Sequence, residues 1–283
     1  MRRREFVCRT LLPVAIGAIG LTAGMRPLAA APAPEPWARW QAYDPAASAT
    51  IDHGEWDRFL KIYVRKGKDG IARLAYAAVI PADRAALAAY VDRLAGIAPS
   101  RFARSEQLAY WINLYNALTI KTVLTHYPVR SIRDIRISPG LFAAGPWGKK
   151  LVAVEGEKLS LDDIEHRILR PIWHDPRVHY AVNCASLGCP NLAQEAYRAD
   201  NFERLLEAGA RDYINHARGA RVENGRLRVS SIYVWFREDF GDSDAGVIAH
   251  LRRYGAPALA AALADTARID GHDYDWTLND AAE

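Results

Sequence analysis

The chain has 283 residues, half of them apolar and a tenth aromatic, which excludes a disordered or fibrous protein and supplies material for a large buried core. Its formal charge of +4 is concentrated at the start: residues 1–30 hold five arginines and one glutamate, leaving 32 basic and 32 acidic residues elsewhere. A remainder without net charge offers no electrostatic reason to expect nucleic acid as a partner.

Arg2-Arg3-Arg4 and Phe6 precede an apolar run from Leu11 to Ala23 and small residues at Ala29 to Ala31, the layout of a bacterial export signal of twin-arginine type. The run falls short of the roughly 20 apolar residues of a membrane span. Residues 1–31 are therefore expected to be cleaved, giving a periplasmic or secreted protein with no stable membrane span. Residues 32–45 read as a linker, rich in Ala and Pro to Pro36 with order starting near Trp37 to Tyr43, and 46–280 as one domain.

Apolar spacing predicts amphipathic helices over Glu55 to Val64 and Arg84 to Leu94. From Leu108 to Leu124 apolar and aromatic residues point in nearly every direction, the pattern of a helix buried all round, with Ser105 as its expected cap and Tyr127-Pro128 as its end. Leu151 to Val154 reads as a strand, Ser160 to Asp163 as a capped start of a helix running to Arg170, Val178 to Asn183 as a strand, and Phe202 to His216 as a helix. Arg221 to Val229 reads as a hairpin turning on Asn224-Gly225, and helices fill Asp244 to Ala264 with a break near Gly255 and Pro257. The class is α+β: a helix-rich single domain whose central buried helix packs on a small mixed or antiparallel sheet.

Past the leader the cysteines are Cys184 and Cys189, five positions apart in the run from Val178 to Pro190. Such a pair is a reactive thiol site, a disulfide clasp favoured by an oxidising compartment, or half a metal site. A second Cys/His pair at ligand spacing is missing, so no metal is expected. No Gly-rich phosphate loop follows a strand, so no nucleotide cofactor is expected either. A reactive Cys184 needs a partner that favours its thiolate. In a strand, His179 and Cys184 would lie about 16 Å apart on opposite faces, which makes His166 at least as good a partner.

Glu165 falls inside the apolar stripe of its helix, where a carboxylate must be paired or protonated, as an orienter of a histidine, an acid/base or a structural ion pair. His166 shares the other face with Asp162 and Arg170. Asn113 and Asn116 interrupt the apolar helix and either brace a loop or offer N–H groups to a substrate oxygen. Trp235, Phe236, Asp239 and Phe240 read first as core packing, with Asp239 as an alternative orienter of His179 or His166. Ser186 reads as a local turn cap.

Four phrases, Gln107 to Leu118, Leu159 to Arg170, His179 to Pro190 and Tyr274 to Asn279, together resemble the domain of unknown function 547 family (DUF547) over roughly Ile51 to Asn279. The resemblance implies that family's pattern positions at Asn113, Asn116, Glu165, His166, His179, Cys184, Ser186, Cys189 and Asp239. A buried helix followed by a histidine-bearing segment is also loosely similar to papain and transglutaminase-like thiol enzymes, although their nucleophile starts the core helix and Cys184 comes later. Two functions follow as expectations. One is a thiol-dependent hydrolase or acyltransferase acting on a small molecule or peptide, with Cys184 as nucleophile, His179 or His166 as base, Glu165 or Asp239 holding that histidine, and Asn113 at the oxyanion. The other is a non-enzymatic binding or assembly domain clasped by a Cys184–Cys189 disulfide.

Overall fold

The computed structural model describes residues 33–140 and 143–281; the expected export signal lies outside them. Helices α1 (Gly54–Tyr63), α2 (Pro81–Ala95) and α3 (Arg104–His126) surround strands β1 (Val64–Lys66) and β2 (Ala72–Leu74), which pair antiparallel with Val64 opposite Leu74. Strands β3 (Val152–Val154) and β4 (Glu157–Leu159) form a hairpin. A π-helix (Asp163–Leu169) runs directly into α4 (Arg170–Trp173), and a 3₁₀ turn (Pro176–Tyr180) leads to the cysteine loop. Then come α5 (Phe202–Ile214), β5 (Ala220–Glu223), β6 (Arg226–Ser230), α6 (Ile232–Trp235), α7 (Asp244–Tyr254), α8 (Pro257–Ala262) and β7 (Gly271–Asp273). The third sheet is mixed: β6 pairs antiparallel with β5 and parallel with β7. The architecture is a helix-rich α+β domain with small antiparallel and mixed sheets.

The all-round apolar stretch is the core helix: in α3 every residue from Glu106 to Leu124 except Lys121 is buried. Trp111 at its centre meets Trp40 edge-on at 5.0 Å and Tyr110 at 4.8 Å. The main neighbours of α3 are α2 and the π-helix, while the sheets flank this helical core. Ser105 lies inside the helix rather than at its cap, which is Ala103. A second core gathers Tyr180, Tyr213, Tyr233, Phe240 and Val247 where α5 and α7 meet the mixed sheet. Asn224 and Gly225 both take positive φ, as the predicted Asn-Gly hairpin turn requires.

Two segments depart from the sequence reading. Val178 to Asn183 is not a strand. The Asp175 carboxylate accepts the Arg177 N–H at 2.9 Å and Pro176 fixes the next φ, so the chain enters a 3₁₀ turn and buries Val178, His179 and Tyr180 together. The helix begun by Ser160, whose hydroxyl and amide exchange hydrogen bonds with Asp163, widens into a π-helix instead of remaining α. Pro171 explains this. It has no N–H, and its ring clashes with a carbonyl one α-turn back. The Arg170 N–H reaches the Glu165 carbonyl instead. Pro171 thereby leaves the His166 and Arg167 carbonyls without intrahelical donors, and the Glu35 and Trp37 N–H groups supply them at 3.1 and 3.3 Å. The 32–45 segment, read as a linker, is strapped from Glu35 onward to the helix that carries Glu165 and His166.

Among the described residues no helix is long and apolar enough to cross a membrane.

Candidate functional site

The 3₁₀ turn, the π-helix and the cysteine loop converge on a cleft of about 530 Å³. Cys184, Cys189, His166, His179, Glu165 and Asp162 line it, with an aromatic wall of Trp147, Trp235, Phe236, Tyr274 and Trp276. His179 and Cys184 thus open onto one space, because the turn replaces the strand alternation that would have separated them. Glu165 and His166, consecutive on the π-helix, both line the cleft as well.

Cys184 sits at a tight elbow. Ala185 is in the left-handed region with φ 58°, and the Asn183 side chain braces it by accepting the Ala185 N–H at 2.9 Å. Cys184 and Cys189 are free thiols with their sulfurs 3.1 Å apart. The Tyr274 hydroxyl lies 3.0 Å from Cys184 Sγ and itself accepts from Ser186 Oγ at 2.9 Å. The Cys189 S–H together with the Ser186 and Tyr274 hydroxyls lowers the Cys184 thiol from its usual value, against the opposing effects of burial and Glu165. Burial pushes Cys189 well up, and burial with the nearby Cys184 does the same to Tyr274, so both remain proton donors to a Cys184 thiolate. Of the two thiols, Cys184 is the one whose thiolate form is favoured.

Neither imidazole is hydrogen-bonded to this sulfur, which corrects the expected Cys–His pairing. His179 is held elsewhere: Nε2 lies 2.6 Å from Asp239 Oδ2, Nδ1 lies 3.7 Å from Glu165, and Phe236 stacks on the ring at 4.2 Å. Asp239 orients His179 as the sequence suggested. The same carboxylate oxygen accepts from Arg170 Nε at 2.6 Å. Burial alone would raise Asp239, but the His179 and Arg170 hydrogen bonds outweigh it and hold the carboxyl at about 2. Arg170 Nη1 donates to His166 Nδ1 at 3.2 Å, which leaves the His166 proton on Nε2, 3.8 Å from Asp162. Burial lowers His166, keeping it neutral. Asp162 moves the other way: burial and the neighbouring Glu165 and Asp163 carboxylates raise it to about 7.

Asn113 is not an oxyanion donor. Its amide spends both ends on one backbone unit, donating to the Tyr197 carbonyl at 2.8 Å and accepting the Tyr197 N–H at 3.0 Å, and it does not line the cleft. Asn116 braces the cysteine approach in the same way, donating to the Ala181 carbonyl at 2.9 Å and accepting the Asn183 N–H at 2.8 Å. Asp162, Arg170 and Tyr274 also belong to this cluster; the sequence reading places Asp162 and Arg170 only beside His166 on one helix face, and Tyr274 only in a terminal phrase.

Residues 99–214 match the family described as "Protein of unknown function, DUF547". This segment is a DUF547 domain. No curated protein and no solved structure matches the chain. The DUF547 segment supplies α3, the π-helix, the 3₁₀ turn and both cysteines, whereas Asp239, Tyr274 and most of the aromatic wall lie beyond it. In place of the papain-like arrangement, in which the nucleophile starts the core helix, Cys184 occupies a loop. Among the described residues no cluster of three or more His, Cys, Asp or Glu side chains is placed to hold a metal ion.

The DUF547 cysteine loop is tied to the terminal segment by backbone bonds from Leu187 N–H to Thr277 and Gly188 N–H to Asp275, both 2.8 Å. A Cβ on Gly188 would stand 2.8 Å from Asp275 N and 2.9 Å from its carbonyl oxygen. Gly188→Ala is expected to push the segment from Tyr274 to Thr277 off the loop, costing about 1–3 kcal/mol in chemical denaturation and raising the Cys184 pKa toward an ordinary thiol. An unchanged alkylation–pH profile would count against the Tyr274 contact as the source of thiol activation.

Proposed function

We propose that the protein is a thiol-dependent hydrolase or acyltransferase with Cys184 as nucleophile. The observation that carries this reading is a lowered thiol opening onto the same cleft as a proton-handling pair, Asp162 and His166. Cys184 Sγ would attack an acyl carbon, forming a C–S bond as the bond to the leaving oxygen or nitrogen breaks. The leaving atom takes a proton from the Asp162 carboxyl, which at about 7 is still partly protonated near neutrality. Water, or an acceptor hydroxyl or amine, then loses a proton to Asp162 and releases the acyl group from sulfur. His166 Nε2–H faces Asp162 and supports its carboxylate form, while His179, Asp239 and Glu165 fix the cleft wall. The histidine acts on the acid, not on the sulfur.

The test is iodoacetamide labelling across pH with mass-spectrometric assignment of each cysteine. Cys184 is expected to label with a midpoint below an ordinary thiol and faster than Cys189, and Tyr274→Phe to raise that midpoint. Turnover of a p-nitrophenyl ester should fall to background in Cys184→Ala. A Cys184 that labels no faster than a free thiol would overturn the reading.

The 3.1 Å approach of the two sulfurs favours one second reading, a non-enzymatic binding domain clasped by a Cys184–Cys189 disulfide. So short a loop would gain about 2 kcal/mol from the crosslink. Protein isolated under non-reducing conditions would then contain no alkylatable thiol at either position, and Cys184→Ser would lower the melting temperature. Export to the periplasm or medium is supported by the arginine-led apolar leader, and N-terminal sequencing of the protein recovered from that compartment would test it.

A further inference from the structure

Arg133 is the one arginine or lysine among the described residues lining the cleft. It is exposed, so it stands at the rim, and among the described residues no ion pair joins it to a carboxylate. Its guanidinium lies 5.3 Å over the Trp276 ring. From there aromatic contacts lead inward: Trp276 meets Tyr274 at 4.7 Å and Trp235 at 5.6 Å, and Tyr274 reaches Cys184. Trp147 closes the other side, edge-on to Trp276 at 5.6 Å.

This rim is built rather than incidental. The Arg133 carbonyl accepts the Gly145 N–H at 3.1 Å, and Ser131 Oγ both accepts the Arg133 N–H and donates to the Trp276 carbonyl at 2.7 Å. Gly145 takes φ 75°, and a Cβ there would fall 2.0 Å from the Trp147 ring, so the loop that holds Arg133 also seats the tryptophan. The cleft is polarised as a result. Its cation is at the rim, the Glu165 carboxylate is buried in its lining, and flat aromatic rings share that lining.

We infer that the cleft binds substrates whose body is aromatic or otherwise flat and apolar and whose end remote from the acyl carbon carries a carboxylate. The rings take the body by stacking and burial, and Arg133 takes the carboxylate through paired N–H donors. The Glu165 carboxylate in the lining repels the same charge, which fixes the orientation and directs the neutral acyl end toward Cys184. This inference rests on the thiol reading for what happens at the acyl end, but binding itself does not require the thiol.

The test uses Cys184→Ala and tryptophan fluorescence titration with two probes of equal shape, 4-phenylbutyrate and its neutral amide 4-phenylbutyramide. The acid should bind about tenfold tighter than the amide at low salt, and added salt should narrow the gap. Arg133→Gln should abolish the preference while leaving the amide affinity and the melting temperature unchanged, and Arg133→Lys should retain part of it. Equal binding of the two probes, absence of binding by both, or an undiminished preference in Arg133→Gln would overturn the inference. Each of these results leaves the Cys184 labelling profile intact, so a failure here is separable from a failure of the thiol reading.

Discussion

Arg170→Ala is expected to destabilise the protein by about 3–5 kcal/mol, because it leaves a carboxylate inside the fold without its main counter-charge. The Arg170 side chain is only 1% exposed and holds Asp239 at 2.6 Å and Glu238 at 2.7 Å. It also donates to His166 and lies 5.0 Å over Phe236, the ring that stacks on His179. Glu238 is largely solvated and contributes little of this cost. Asp239 contributes most of it, since the removal leaves that carboxylate with His179 as its remaining strong partner. Arg170→Lys should recover little, because one ammonium cannot reproduce the separate Nε and Nη contacts to two carboxylates and a histidine. Urea unfolding at neutral pH measures the loss, and the double variant with Asp239→Asn should be less destabilised than the two single losses added together. A loss below about 1 kcal/mol for Arg170→Ala would show that the buried charge network is not what fixes the cleft wall.

The sequence displayed the parts of this protein whose cause is local. Helix α3 was legible because an apolar surface all round has no other home than a core, and the β5–β6 hairpin because Asn224-Gly225 accepts a backbone conformation that other residues resist. Glu165 was legible as an anomaly in its stripe. Two sections of the site were not, for identifiable reasons. Val178 to Asn183 is rich in residues that favour strands, and only the Asp175-Pro176 cap before it selects a 3₁₀ turn. The sequence ends the helix at Arg170, whereas the missing N–H of Pro171 widens the helix before it, and Glu35 and Trp37 of the N-terminal segment donate to its carbonyls. Apart from Asp239 and His179, contacts of high sequence separation are not legible in the sequence. Tyr274 is 90 positions from Cys184, and Asp239 is 69 from Arg170. No periodicity carries such information, so the sulfur was assigned to histidine when its hydroxyl partner was out of view.

Acidification is expected to weaken the fold between about pH 6.5 and 4, before most carboxylates titrate. His53 and His250 are both lowered from 6.5 to about 4, chiefly by burial and further by nearby arginines. His53 is fully buried against the Tyr90 hydroxyl at 2.6 Å. His250 Nε2 lies 2.9 Å from the hydroxyl of Tyr180, the residue after His179, and its ring packs on Phe240. With the folded values below the unfolded one, the unfolded chain binds more protons throughout this window. Stability is therefore fully present above pH 6.5 and is lost as pH falls toward 4, by up to about 1.4 kcal/mol per pH unit for each histidine. Asp162, raised to about 7, acts in the opposite sense because its folded carboxyl takes up a proton before the unfolded one does, so it offsets about one histidine's share and the net loss at pH 4 is on the order of a few kcal/mol. Asp239 acts in a lower window, since a carboxyl held at about 2 loses its contribution only as pH drops from about 4 through 2. Urea midpoints at half-unit intervals from pH 7.5 to 3.5 separate the two. His250→Gln keeps a polar contact to Tyr180 without the titration, and should remove most of the net slope between pH 6 and 4.5, because Asp162 offsets about one histidine there, while leaving the loss below pH 4 in place. A slope unchanged in that variant would mean that His250 is already solvated in the native state, and that the packing behind His179 is looser than its ring contacts imply.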